Sequence, residues 1–162
     1  PWQQAGLLAS GIFCLAAITD WVDGYLARRW NQTTAFGAFL DPVADKLIVA
    51  VSLVVLIELY PQNSWFTLAV ATIIGREIVI SALREWMAEI GERTSVAVSF
   101  VGKFKTTMQM IAIIFLLAEL SLGHIVVEII GFTSLYIAAV LTLWSMIIYL
   151  KAAWRSLSGE MR

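Results

Sequence analysis

The chain has 162 residues, 60% of them hydrophobic and only 14% charged, with seven Trp and a mean hydropathy of +0.82. Soluble domains run at roughly 45–50% apolar and about 25% charged, so this apolar excess excludes a water-facing surface, and with it a soluble enzyme or a disordered chain. Eleven Lys and Arg against twelve Asp and Glu leave a net charge of −1, which offers no basic footprint for nucleic acid.

A membrane-crossing helix takes about 20 mostly apolar residues. Residues 1–19 carry no charge, and the first predicted helix runs over about 4–31, closing at Asn31-Gln32-Thr33-Thr34. Cys14 lies inside this apolar run and, as the single cysteine, forms no internal disulfide. The second helix is expected over about 42–60, with Asp41 as its cap and Pro42 at its first position. Tyr60-Pro61-Gln62-Asn63-Ser64 then supplies a turn. The third spans about 64–91, ending at Gly91, and the fourth about 96–120. Leu122-Gly123-His124 turns the chain into a fifth over about 125–155. The first, third and fifth exceed the minimum length, so they protrude or tilt. The apolar runs are continuous rather than alternating, which excludes a β-barrel. The expectation is an all-α integral membrane bundle: one domain, 1–162, of five helices.

Orientation follows from Lys and Arg. The connections near 58–65 and 119–128 contain neither, whereas the other side gathers Arg28, Arg29, Arg84, Arg93, Lys103, Lys105, Lys151, Arg155 and Arg162. That side is expected to be cytoplasmic. Trp2 and Trp65 suit one interfacial belt, and Trp30, Trp86 and Trp154 the other, as anchors. Pro1 then starts on the outer face. Residues 1–19 have no basic n-region and so do not read as a signal peptide; an upstream segment, such as one more helix, is expected ahead of them.

Ionisable groups in a membrane helix are costly and mark function by default. Asp20, Asp23, Gly24, Ala27 and Arg28 fall on one helical stripe, and Asp41 and Asp45 share a face of the next helix. A short turn joins the two helices, so they are expected to pack as antiparallel neighbours with four carboxylates converging. Ionised carboxylates so placed repel one another. Protonation would relieve this, as in a proton relay or a cation-coupled transporter. Divalent cations relieve it better, since hard oxygen ligands suit Mg²⁺, Mn²⁺ or Ca²⁺, and no nearby His or Cys argues for zinc. Gly24 and Gly37 clear space beside the acids for a bulky polar group. A transporter site belongs near the bilayer midplane, whereas these acids sit near one boundary.

Asp20-x₂-Asp23-Gly24-x₂-Ala27-Arg28-x₈-Gly37-x₃-Asp41-x₃-Asp45 resembles the signature of the CDP-alcohol phosphatidyltransferases at every fixed position. The stretches DWVDGYLARRWNQTTAFGAFLDPVADK, REIVISALREWMAE and SVAVSFVGKFKTTMQM resemble the bacterial glycerol-phosphate branch of that family, over about residues 13–150. The resemblance implies a phosphatidyl transfer from CDP-diacylglycerol to sn-glycerol 3-phosphate, giving phosphatidylglycerol phosphate and CMP. It also implies Mg²⁺ or Mn²⁺, as two ions, a homodimer, and six helices where five are counted here. Carried over by position, Asp20, Asp23, Asp41 and Asp45 would hold metal, Asp45 would also be the general base, and Gly24, Ala27, Arg28 and Gly37 would line the CDP pocket. Branches that use inositol-type, serine or cardiolipin-forming acceptors are the near alternatives.

An acceptor bearing phosphate needs a basic site, and Arg76, Lys103 and Lys105 are its candidates, with Arg84 a further one. Arg76 lies well inside the third helix, where a charge without purpose is expensive. Glu77 adjoins it but points about 100° away, so it need not be its partner. The two lysines also suit snorkelling to the interface. Arg84, Glu85 and Glu89 read as a solvated helix end, and Lys46 as either a ligand contact or a charge balance. His124 reads as solvated in its turn; Met108, Met110 and the Phe residues read as core or lipid contacts. No Ser–His or Cys–His pairing provides a nucleophile, which favours direct displacement.

Overall fold

The computed structural model describes residues 2–30, 35–89 and 100–160, and places them in five helices. These are α1 (Trp2–Trp30), α2 (Ala35–Leu59), α3 (Ser64–Glu89), α4 (Phe100–Leu122) and α5 (Ile125–Glu160). The expected turn at Asn31–Thr34 and the helix end at Gly91 lie outside the described residues.

The two described turns close as local chemistry dictates. Asn63 caps α3, its Oδ1 accepting the Phe66 amide at 3.0 Å. At the other, the Gly123 amide donates to the Glu119 carbonyl at 2.7 Å, ending α4. One boundary corrects the sequence expectation. Asp41 and Pro42 do not cap and open α2; the helix already begins at Ala35 and runs through them. Breaking the helix would leave several backbone groups to be paired elsewhere, whereas running through Pro42 loses the one bond to the Ala38 carbonyl and crowds the proline ring against that carbonyl.

Among the described residues, four helices are long and apolar enough to cross a membrane, over Ala5–Gly24, Ser64–Met87, Phe104–Leu122 and Ile125–Lys151. The helix that falls short of the five expected is α2, which carries Asp41, Asp45, Lys46 and Glu58. Large apolar side chains face outward along the other helices, among them Leu8, Ile12, Val140 and Trp144. Such exposed apolar faces on α1, α2, α3 and α5 are the lipid-facing surface of a membrane protein. Trp65 is 74% exposed at the start of α3, with Trp86 and Trp154 exposed at the opposite end, as interfacial anchors require.

The bundle is built around α4, which packs against α1, α5 and α2, while α3 packs on α5 and α2. Its core joins Leu53, Leu56, Phe66, Val70, Ile113 and Leu116. With no hydrophobic force between helices in lipid, small residues and polar contacts decide how closely they approach. On α1, Gly6 lies so near α4 that a Cβ there would fall 2.5 Å from the Leu117 carbonyl oxygen. One turn on, the Ser10 hydroxyl donates to the Ile114 carbonyl at 2.9 Å. Gly131 plays the same part on α5, beside the Leu116 side chain. Between α1 and α2, by contrast, the described residues make no close backbone approach. Along the described residues each leans on α4 and a cleft lies between them; the connection at 31–34, beside which the two were expected to pack, lies outside the described residues.

At the turn end, Tyr60, Phe66 and Phe132 form an aromatic cluster with centroids 5.2–5.6 Å apart. The Tyr60 hydroxyl donates to Glu119 Oε2 at 2.7 Å, tying α2 to α4. Burial first, then the Glu119 carboxylate, pushes that hydroxyl above its ordinary value and keeps it a donor.

Candidate active site

The cleft between α1, α2, α3 and α4 encloses about 890 Å³. Its polar lining is Asp20 from α1, Asp45 and Lys46 from α2, Glu77 and Ser81 from α3, and Lys105, Thr106 and Gln109 from α4. The rest is apolar, including Phe13, Ile48, Leu53, Ile73 and Met110. A charged head group and a lipid tail could therefore be held in one continuous space. A second hollow of about 680 Å³ lies at the turn end, among Tyr60–Trp65, Glu128 and Phe132; it brings no lysine or acid pair together.

The structure distributes the expected residues unevenly. Asp20 and Asp45 reach the cleft from different helices, so two carboxylates that no helical spacing relates meet across one space. Asp23 is exposed one turn beyond Asp20 and is not among the lining residues. Gly24 is partly buried on the same helix. The Ala27, Arg28, Gly37, Asp41 and Lys103 side chains lie outside the described residues. The described acids offer hard oxygen donors of the kind a divalent cation takes. They fit such an ion by chemistry, although among the described residues no three of Asp, Glu, His and Cys form a ready cage.

The basic residues were expected as one cluster. Lys105 does line the cleft, although only 4% of it is exposed. Arg76 is 8% exposed and is not part of the lining. It turns toward α5, donating from Nη2 to the Ser145 hydroxyl at 2.8 Å, with its guanidinium 5.6 Å from the Tyr149 ring centroid. Nη1 donates to Glu77 Oε1 at 2.9 Å. The same oxygen accepts from Lys105 Nζ. Glu77 is thus the partner of Arg76 after all: a long, flexible side chain closes the angular gap that separates neighbouring positions on a helix. Arg84, expected as part of a solvated end, stacks 4.8 Å from the Tyr149 ring and donates to its hydroxyl.

Glu77, Ser145 and Tyr149 belong to this network without having been singled out for it. The available signal was polarity. A Ser in the middle of LTLWSMIIYL, inside a membrane span, asks for a polar partner on a neighbouring helix.

Residues 3–144 match the family described as CDP-alcohol phosphatidyltransferase. The chain belongs to the CDP-alcohol phosphatidyltransferase family. Three relatives from enterobacteria bear the name CDP-diacylglycerol–glycerol-3-phosphate 3-phosphatidyltransferase. That of Pectobacterium atrosepticum is 62% identical over 153 residues, covering 94% of this chain and 82% of the relative. Those of Shigella flexneri and Salmonella typhimurium are 61% and 59% identical over the same shares. This phosphatidyltransferase is accordingly a membrane enzyme of a transferase family that generally uses a divalent metal. The acid-bearing helices of its signature are the ones that border the cleft.

Proposed function

We propose that the protein transfers the phosphatidyl group of CDP-diacylglycerol to sn-glycerol 3-phosphate, releasing CMP and giving phosphatidylglycerol phosphate. The observation that carries this reading is the cleft itself, which Asp20, Asp45 and Lys105 line together with apolar side chains. The names of relatives about 60% identical to the chain support the same acceptor.

In this reading an acceptor hydroxyl oxygen attacks the phosphorus that bears the diacylglycerol. The bond from that phosphorus to the CMP oxygen breaks, and CMP leaves. Asp45 takes the hydroxyl proton, a role worth about 10²–10⁴-fold. Asp20, Asp23, Asp41 and Asp45 would hold Mg²⁺ or Mn²⁺, expected as two ions, whose charge offsets that of the pyrophosphate. Gly24, Ala27, Arg28 and Gly37 border the CDP moiety, and the diacyl tails follow the apolar lining into lipid. Lys105 and Lys103 would bind the acceptor phosphate, with Arg76 joined to Lys105 through Glu77. The Lys and Arg bias supports a cytoplasmic orientation for this end of the bundle in a bacterial inner membrane, the side from which water-soluble glycerol 3-phosphate and the nucleotide head group of the lipid would reach it. A homodimer is the assembly that the resemblance implies.

The test is CMP release from CDP-diacylglycerol by the purified protein, with and without divalent metal, across acceptors. Release should require both metal and glycerol 3-phosphate. Release with serine or inositol, and none with glycerol 3-phosphate, would overturn the acceptor.

A further inference from the structure

Lys46 follows Asp45 directly, yet both side chains line the cleft. From α2 its ammonium reaches α3 and donates to the Ser81 hydroxyl at 2.6 Å. Lys105 lines the same cleft from α4, but its charge is already met by Glu77. The ion pairs among the described residues are Arg76–Glu77 and Lys105–Glu77, and neither uses Lys46. An ammonium has three donors. Ser81, a neutral group, takes one, and the ammonium keeps its charge and two further donors on a side chain that lines the cleft.

We infer that Lys46, braced by Ser81, is a binding residue for the phosphate of the acceptor and acts together with Lys105. This rests on the reading of glycerol 3-phosphate as acceptor. A phosphate dianion is poorly matched by Lys105 alone, whose charge Glu77 largely offsets; a second cation from a different helix supplies the difference. The position also explains the brace. A free lysine is a flexible point charge with considerable rotamer entropy, and a fixed hydroxyl partner on α3 holds its ammonium in place before the anion arrives.

The experiment is steady-state kinetics of Lys46→Met, Lys46→Arg and Ser81→Ala, titrating each substrate separately, with calorimetric binding of glycerol 3-phosphate to the purified protein. Lys46→Met should raise KM for glycerol 3-phosphate about tenfold to a hundredfold and weaken its binding equally. KM for CDP-diacylglycerol and kcat at saturating acceptor should move by no more than about threefold. Lys46→Arg keeps the charge and should recover part of the loss. Ser81→Ala, which removes only the brace, should raise the same KM by about two- to fivefold. If the wild-type enzyme takes only phosphate-free acceptors, the functional reading falls and this inference falls with it. If it uses glycerol 3-phosphate while Lys46→Met leaves that KM unchanged, or raises KM for CDP-diacylglycerol instead, the inference alone is overturned.

Discussion

Glu77 on α3 and Lys105 on α4 form an ion pair inside the bundle, and the carboxylate oxygen that accepts Lys105 also accepts Arg76. One carboxylate thus serves two buried cations. It joins the helix that reaches Ser145 on α5 to the helix at the centre of the fold.

Removing that carboxylate should be more damaging than removing one of its partners. Glu77→Ala leaves Arg76 and Lys105 buried without a counter-charge, a loss of about 3–5 kcal/mol for a broken buried pair. Thermal unfolding in detergent should show a large drop in Tm for Glu77→Ala. Pairing it with Lys105→Met should restore part of that loss. A double variant as unstable as the sum of the two singles would show that the ion pair does not couple them.

Arg76 and Lys105 should differ in kind. Lys105→Ala should raise KM for glycerol 3-phosphate about tenfold to a hundredfold, because a charge-assisted bond to phosphate is worth about 1.5–3 kcal/mol. Arg76→Ala, lying behind Glu77 and bonded to Ser145, should lower Tm as well as raise that KM. The combined kinetic and unfolding measurements separate the two, and an Arg76→Ala protein of wild-type Tm would contradict its placement.

Asp45→Asn should abolish turnover, by about 10²–10⁴-fold, while CDP-diacylglycerol still binds measurably. Asp20→Asn should instead weaken metal and nucleotide binding together, since its carboxylate faces the same cleft from α1. Near-full kcat for Asp45→Asn at saturating substrate would remove it as the base.

The α1–α4 contact gives a prediction on packing alone. A Cβ at Gly6 would lie 2.5 Å from the Leu117 carbonyl oxygen and 2.8 Å from the Leu120 Cβ, whereas one at Gly11 meets nothing within 4 Å. Gly6→Ala should therefore destabilise by about 1–3 kcal/mol, and Gly11→Ala should leave Tm unchanged or raised. Equal effects at the two positions would mean that α1 does not approach α4 as described.

The sequence by itself determined the environment, the helix count and the residues worth attention. Composition decides membrane against water because an apolar surface of that size has no other stable solvent. Turns such as Tyr60–Ser64 and Leu122–His124 are legible because Pro, Asn and Gly act through their own backbone or the next few residues. The acid stripe Asp20–Asp23–Gly24 is legible for the same reason, since positions on one helix are related by a known rotation. Tertiary structure decided whatever depends on how one helix is turned against another. It committed α1 to α4 through the close approach at Gly6 and Ser10, and left a cleft between the described parts of α1 and α2. It paired Arg76 with a neighbour that helical geometry points elsewhere, since the reach of a long side chain is settled by the partners around it. It likewise sent Lys46 to Ser81, a contact between residues 35 positions apart in the chain that only the packing of α2 on α3 creates.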